Sequence, residues 1–380
     1  MPAKRAGRRL AGRARVLPRA LARRFLRLQK RDRPAAPHRI LVAHHLLAGD
    51  VFMLAPLLAK LRARHADAEI VMTVRPALAP LFSTRPYGVR AVSYDPRDAG
   101  TLVALFQEPG FDLALVPGDN RYSWLAAAAG ARWIAAFAGD RPGYKSWPVD
   151  ELRRYRAQPT AWSDMVADLA DGPPPAPYQP GDWPAPACAA FDAPKSPYAV
   201  LHVEASTPVK HWEDARWLAL AEKIAARKIQ PIWSAGPGGE TLLKRIDPAA
   251  RFPALGHRLD LAQLWHLVAH AALLVCPDTS VMHLGRLTGA PTVALFGPSS
   301  AQLFGAGQFW RYARYRAVTV ADFPSRDQSR LFKREIAWIR RCQRTAPECV
   351  ARTGIDWAEA PPCMRAIEVD AVERAAAELL

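Results

Sequence analysis

Leu273-Leu-Val-Cys-Pro-Asp278-Thr279-Ser280-Val-Met-His283-Leu-Gly285, followed by Ala290-Pro-Thr-Val-Ala-Leu-Phe-Gly297-Pro298, decides how this chain is read. The first run is a buried strand, then a polar turn that opens a helix. The second, entered through Gly289-Ala-Pro, is another buried strand that ends in Gly-Pro. In a parallel α/β sheet, polar groups at the carboxyl end of a strand face the ligand crevice. The first backbone N–H groups of the helix that follows lack internal partners and attract anions. A carboxylate (Asp278), two hydroxyls (Thr279, Ser280) and an imidazole (His283) therefore gather where a diphosphate would sit. Helix capping accounts equally well for Asp278 or Thr279 alone. It does not account for His283, four residues on and on the same helical face.

Working outward, the 380-residue chain is too long for one ordinary core, so two domains are expected. Half its residues are hydrophobic, enough for a globular fold, and no apolar run is long enough for a membrane span. The five cysteines (Cys188, Cys276, Cys342, Cys349, Cys363) do not suggest a secreted disulfide scaffold. The formal charge of +17 is concentrated at one end: residues 1–39 hold fourteen Lys/Arg against a single acid, Asp32. Val16, Leu17, Leu21, Phe25, Leu26 and Leu28 are loosely spaced as one helical face of this arm. Such an arm suits an anionic membrane surface. It reads equally as a solvated tail, and a basic arm alone binds nucleic acid without specificity. No apolar core follows the charges as in a secretory signal, and the arm lacks the serines of a transit peptide.

From Arg39 short apolar runs alternate with helical stretches. Strands are expected at 39–45, 69–74, 89–93, 111–116 and 133–137, with one apolar helix over about 50–64. Residues 171–197 are too proline-rich for either regular element and read as a linker. The rhythm then restarts with strands at 198–203, 230–234, 272–276 and 291–296 and a helix over about 213–227, and a last helix is expected near 364–380. Alternating strands and helices argue for parallel sheets covered on both faces. The expected division is a basic arm (1–38), a first Rossmann-like domain (39–170), the linker (171–197), a second Rossmann-like domain (198–363) and a terminal helix (364–380).

Two further turns carry chemistry. Gly49-Asp50 follows the first strand directly, and Asp50 reads either as a helix N-cap or as a general base. Leu201-His-Val-Glu204-Ala-Ser206-Thr207-Pro-Val-Lys210-His-Trp212 again joins a strand to a helix. Its hydroxyls and ammonium suit a diphosphate, because they neutralise charge that builds on a leaving phosphate. Ser234-Ala-Gly-Pro-Gly-Gly239-Glu240 is a glycine-rich turn without a following Gly-Lys-Ser/Thr, and the fold does not open with Gly-x-Gly-x-x-Gly. Both absences argue against a Walker-type NTPase and against a dehydrogenase. Glu240 reads equally as a ribose acceptor and as a solvated surface residue.

These motifs together resemble glycosyltransferase family 9, the heptosyltransferases that build the inner core of lipopolysaccharide, over roughly residues 39–375. Gly49-Asp50-Val51 resembles the family's Gly-Asp-Val turn, whose Asp is the proposed base. Lys210-His-Trp212 resembles its Lys-x-Trp, and Asp278-Thr-Ser-Val-Met-His283 its Asp-Thr-Gly-x-x-His donor loop. Pro291–Pro298 matches the strand and Gly-Pro that follow, and Cys342, Cys349 and Cys363-Met364 resemble its cysteine-bearing tail. Ser280 and Glu204 stand where the family has glycine. The resemblance implies an α/β fold of GT-B architecture, two Rossmann-like domains facing across a cleft, with the terminal helix returning to the first.

It further implies inverting transfer of a heptose from ADP-heptose to an anionic, lipid-linked lipopolysaccharide core acceptor. Asp50 and Lys210 would be catalytic, and Ser206, Thr207, Lys210, Glu240, Asp278, Thr279, Ser280 and His283 would hold the donor. No metal, no cofactor and no specific nucleic-acid partner are expected. The expected place is the cytoplasm, peripheral on the inner face of the cytoplasmic membrane, with contact through residues 1–38. Two alternatives stay open: a related glycosyltransferase with another donor or a protein acceptor, and a non-catalytic nucleotide- or polyanion-binding protein.

Overall fold

The computed structural model describes residues 14–23, 32–255, 258–321 and 323–380, and it separates into two compact units. The first holds residues 1–158, 163–176 and 330–337; the second holds 159–162, 177–329 and 338–380.

The first unit is built on six parallel strands: β1 Arg39–Val42, β2 Glu69–Val74, β3 Val89–Ser93, β4 Leu113–Val116, β5 Trp133–Phe137 and β6 Glu151–Arg153. They lie in the order β3-β2-β1-β4-β5-β6, the order of a Rossmann sheet. In β1, Ile40, Leu41 and Val42 are fully buried, as expected of a strand covered on both faces. Chain order reverses between β1 and β4, paired through Leu41↔Ala114 and Val42↔Leu115. In such sheets ligands bind outside the carboxyl ends at this reversal, and the Gly49-Asp50 turn follows β1 there.

The second unit is built on β7 Tyr198–His202, β8 Gln230–Ser234, β9 Leu273–Pro277, β10 Thr292–Phe296 and β11 Tyr315–Thr319, parallel and ordered β11-β10-β9-β7-β8. Its reversal lies between β7 and β9, paired through Val200↔Leu274 and Leu201↔Val275. The two polar turns marked in the sequence, after β7 and after β9, therefore open side by side. Gly285 lets the helix Ser280–Thr288 lie against the sheet: a Cβ there would come within 2.3 Å of Thr292 Oγ1.

Several expectations are corrected. The single helix over 50–64 is two, Ala48–Phe52 and Ala55–Arg64, because Pro56 has no N–H to offer the carbonyl of Phe52. The sequence pattern missed β6 and β11. Both are sheet edges with partly exposed, charge-bearing residues, so neither carries a continuous apolar run. The terminal segment forms Pro362–Arg365 and Val369–Ala377. It packs within the second unit: Val372, Ala376 and Leu379 enter that unit's core, and Trp212 Nε1 donates to Ile367 O at 2.9 Å. Residues 171–197 contain no helix or strand, yet they are anchored. Tyr178 and Trp183 are buried, and Tyr178 Oη donates to Leu287 O at 2.6 Å, capping the last turn of helix Ser280–Thr288.

Residues 14–23 are helical and lie on the first unit. Arg19 donates to Ala128 O and Phe106 O, each at 3.0 Å, closing the ends of helices Ala99–Gln107 and Tyr122–Ala128. Ala20 is fully buried and Val16 packs beside it, so the predicted apolar face is split: Leu17 and Leu21 point to solvent. Phe25, Leu26 and Leu28 lie outside the described residues. Among the described residues, no helix is long and apolar enough to cross a membrane.

Candidate functional site

At the reversal of the second sheet, one helical turn, Pro208–Lys210, carries the lysine to the end of β9. Lys210 Nζ donates to Asp278 Oδ2 at 2.9 Å and to the Asp278 carbonyl at 2.8 Å. Two of its three N–H bonds are thereby given to Asp278. The capping duty belongs to the next residue: Thr279 is the N-cap of helix Ser280–Thr288, and its hydroxyl accepts from Val281 N at 3.3 Å. Asp278 is thus left to Lys210. Burial alone would raise its carboxyl, but the Lys210 ammonium, the Ser299 hydroxyl and His283 outweigh burial and hold it below the ordinary carboxylate range.

His283 stands one turn into the helix, on the same face and buried. Burial first, then the neighbouring Arg286 cation, lowers its ring well below the usual histidine range, so it stays neutral. Ser280 begins the helix and is half-buried; Ser206 is exposed and Thr207 half-exposed on the loop after β7. The structure therefore brings Lys210, Asp278, Thr279, Ser280 and His283 around two adjoining strand ends, with Ser206 and Thr207 on the loop leading to Lys210. Glu240 is not part of this group: it opens helix Glu240–Ile246, largely exposed, in an ion pair with Lys244 at 3.2 Å.

Glu204, on the same loop, is tied elsewhere. Its Oε2 accepts the Gly236 N–H at 2.7 Å, and a Cβ at Gly239 would come within 2.8 Å of that oxygen. The carboxylate thus occupies the cradle of the glycine-rich turn after β8.

In the first unit, Asp50 is half-buried within helix Ala48–Phe52. The N-cap is Leu47, without a side-chain cap bond, so Asp50 is a first-turn acid and the capping alternative falls away. At the neighbouring strand ends, His45 meets Tyr94 edge-to-face at 5.7 Å and Tyr122 at 6.5 Å between centroids. Sequence reasoning missed these three rings, which come from segments far apart in the chain. It also missed Arg286, whose only signal was a charge inside the apolar run Leu284-Gly-Arg-Leu287.

Comparison with known proteins agrees with this geometry. The family model described as glycosyltransferase family 9 (heptosyltransferase) matches residues 106–310. Lipopolysaccharide heptosyltransferase 1 of Pseudomonas aeruginosa is 29% identical over 233 residues, covering 57% of this chain and 62% of that protein. The match thus spans about three fifths of this curated relative's length. Among solved structures, a family 9 glycosyl transferase from Veillonella parvula superposes with TM-score 0.66 at 16% identity, covering 91% of this chain and 97% of that one. The E. coli ADP-heptose lipopolysaccharide heptosyltransferase II gives TM-score 0.65 at 17% identity, covering 90% and 98%. At these identities the structural likeness establishes the fold, two Rossmann-like units of the GT-B class.

Proposed function

From the premise that the chain belongs to glycosyltransferase family 9, the heptosyltransferases, we propose that it transfers a heptose from ADP-heptose to a lipopolysaccharide core acceptor, with inversion. The observation that carries this reading is the Lys210–Asp278 clamp at the start of helix Ser280–Thr288. It fixes one ammonium, with its third N–H uncommitted to Asp278, beside backbone N–H groups that attract anions. The E. coli relative, named for ADP-heptose, supports the choice of donor.

In this mechanism Asp50 takes the proton of the acceptor hydroxyl while that oxygen bonds to the anomeric carbon from the face opposite the leaving group. The bond between that carbon and the diphosphate oxygen breaks, and ADP leaves with the electron pair. Lys210, Ser206, Thr207 and the helix start at Thr279 and Ser280 stabilise the charge that grows on it. Asp278 orients Lys210, and His283 offers a hydrogen bond. These groups neutralise the diphosphate without a divalent ion, so turnover should survive chelation by EDTA. The acceptor is an anionic lipid, and the enzyme works peripherally at the inner face of the cytoplasmic membrane, held there by its basic arm.

Thermal stability with ADP, UDP, GDP and CMP tests the reading. A nucleotide at about 100 times its Kd adds roughly 2.7 kcal/mol. The expected result is a shift with ADP alone, lost in Lys210→Ala, followed by release of ADP from ADP-heptose when a core acceptor is added. A shift with another nucleotide replaces the donor, and binding without turnover makes the protein a nucleotide-binding relative.

A further inference from the structure

Arg286 is charged, yet only 2% of it reaches solvent. A guanidinium in that position must be satisfied locally. It donates to Gly305 O, to Phe304 O at 3.1 Å and to His283 Nδ1. Its charge also lies 5.3 Å from the Tyr315 ring centroid and 5.5 Å from that of Trp310, a distance at which aromatic faces attract cations. Arg286 is therefore held on three sides, and its remaining contact reaches a residue of the donor site three positions back on the same helix.

A guanidinium has donors only, so the nitrogen that meets it must be a bare acceptor. We propose that Arg286 is a positioning residue: by donating to Nδ1 it fixes His283 as a neutral imidazole whose single N–H sits on Nε2. The ring then presents the same donor to a phosphate or sugar oxygen across the working pH range. This inference rests on the donor-site reading above and adds a residue that acts through His283.

The surroundings agree with it. The charged groups acting on His283 are Arg286 on its own helix, Asp278 at the end of β9 and Lys210 from the turn after β7. Arg286 in turn neighbours Cys276 of β9 and Tyr315 of β11, both kept protonated by burial. Asp278 favours a protonated ring, while Lys210 and Arg286 oppose it. Asp278 is already engaged by Lys210, so the balance stays with the neutral form, and Arg286 decides which nitrogen holds the proton.

Two-bond hydrogen–nitrogen correlation spectra of the imidazole rings, recorded on the nucleotide-free full chain, test the lock directly; the His283→Gln spectrum assigns its signal. The expected ring is the Nε2–H tautomer, without titration between pH 5.5 and 8. In Arg286→Met the ring should populate both tautomers and its titration should move upward. ADP binding, flat within about twofold over that range in the wild type, should then tighten at least threefold from pH 8 to 5.5. On a His283→Gln background the same arginine substitution should leave the pH profile flat. A wild-type ring with its proton on Nδ1 overturns the lock, whatever ADP does. An Arg286→Met protein that keeps one tautomer and a flat ADP profile makes the arginine merely structural. The expected wild-type tautomer without any ADP binding instead removes the donor-site reading. If the methionine variant does not fold, the wild-type spectrum still decides.

Discussion

The turns after β1 and after β9 follow one local plan, a strand end, a short polar turn and a helix, yet they hold their carboxylates in opposite ways. Asp278 is 6% exposed, clamped by Lys210 and held below the ordinary carboxylate range. Such a group is a poor proton acceptor, because protonation would cost it the ion pair. Asp50 is half-buried in the first turn of a helix whose cap is a leucine. The difference bears on the proposed division of labour, in which the second unit's carboxylate fixes a cation and Asp50 of the first is the proposed base.

The largest expected effect tests that division. Asp50→Asn should lower kcat about 10³-fold, within the range supplied by a general base. ADP affinity, measured by calorimetry, should stay within about twofold. Asp278→Asn should do the reverse, weakening ADP binding more than it slows the bound complex. Equal losses in both parameters for both variants would erase the contrast.

Breaking the clamp comes next. Lys210→Met leaves a buried carboxylate without its cation and should cost about 3 kcal/mol of stability at neutral pH. Adding Asp278→Asn should restore much of that loss in thermal unfolding but none of the ADP binding. The pH dependence has opposite sign in the two proteins. In the wild type the depressed Asp278 contributes fully above the unfolded carboxyl value near 4 and loses that contribution only as pH falls through its lower folded value. Without Lys210 the largest effect opposing burial is gone and Asp278 is raised, so the variant should gain stability as pH falls from 7 toward 5. Parallel profiles would mean that the lysine does not control this group.

Glu204 sharpens the comparison within the second unit, since it is a carboxylate with neither role. Glu204→Gln keeps an acceptor for the Gly236 N–H and removes one negative charge beside the glycine-rich turn. Thermal stability should change by under about 1 kcal/mol, and ADP should bind about threefold more tightly. Weaker binding would show that the carboxylate serves the ligand rather than opposing it.

The legible part of the molecule is that written in local sequence. Continuous apolar runs marked β1, β7, β9 and β10, since a strand buried on both faces tolerates little else. The polar turns after β7 and β9 were equally readable, and sheet order then made Lys210 and Asp278 partners. The edge strands β6 and β11 were not legible, because their partly exposed, charge-bearing residues leave no continuous apolar run. The His45–Tyr94–Tyr122 cluster was not legible either, because it forms only when three strand ends converge. Arg286 was visible as an anomaly, a charge among buried apolar residues, but its partner followed only from the helix being turned inward.

The smallest effect on turnover should come from the arm, whose described helix, residues 14–23, packs on the first unit. On the proposed reading its two segments have separable tasks. Residues 1–13 carry Lys4, Arg5, Arg8, Arg9 and Arg13, and each cation engaged at an anionic surface contributes about 1 kcal/mol. Residues 14–23 instead dock through Arg19 and Ala20. Deleting 1–13 should leave the melting temperature and turnover on a soluble acceptor unchanged and weaken sedimentation with anionic phospholipid vesicles, an effect that salt should abolish in the intact chain. Deleting 1–36 should also cost stability, about 2 kcal/mol, because two helix ends lose the donors that Arg19 supplies. Vesicle binding that survives the shorter deletion would move the membrane contact to Leu17 and Leu21, which the docked helix leaves exposed.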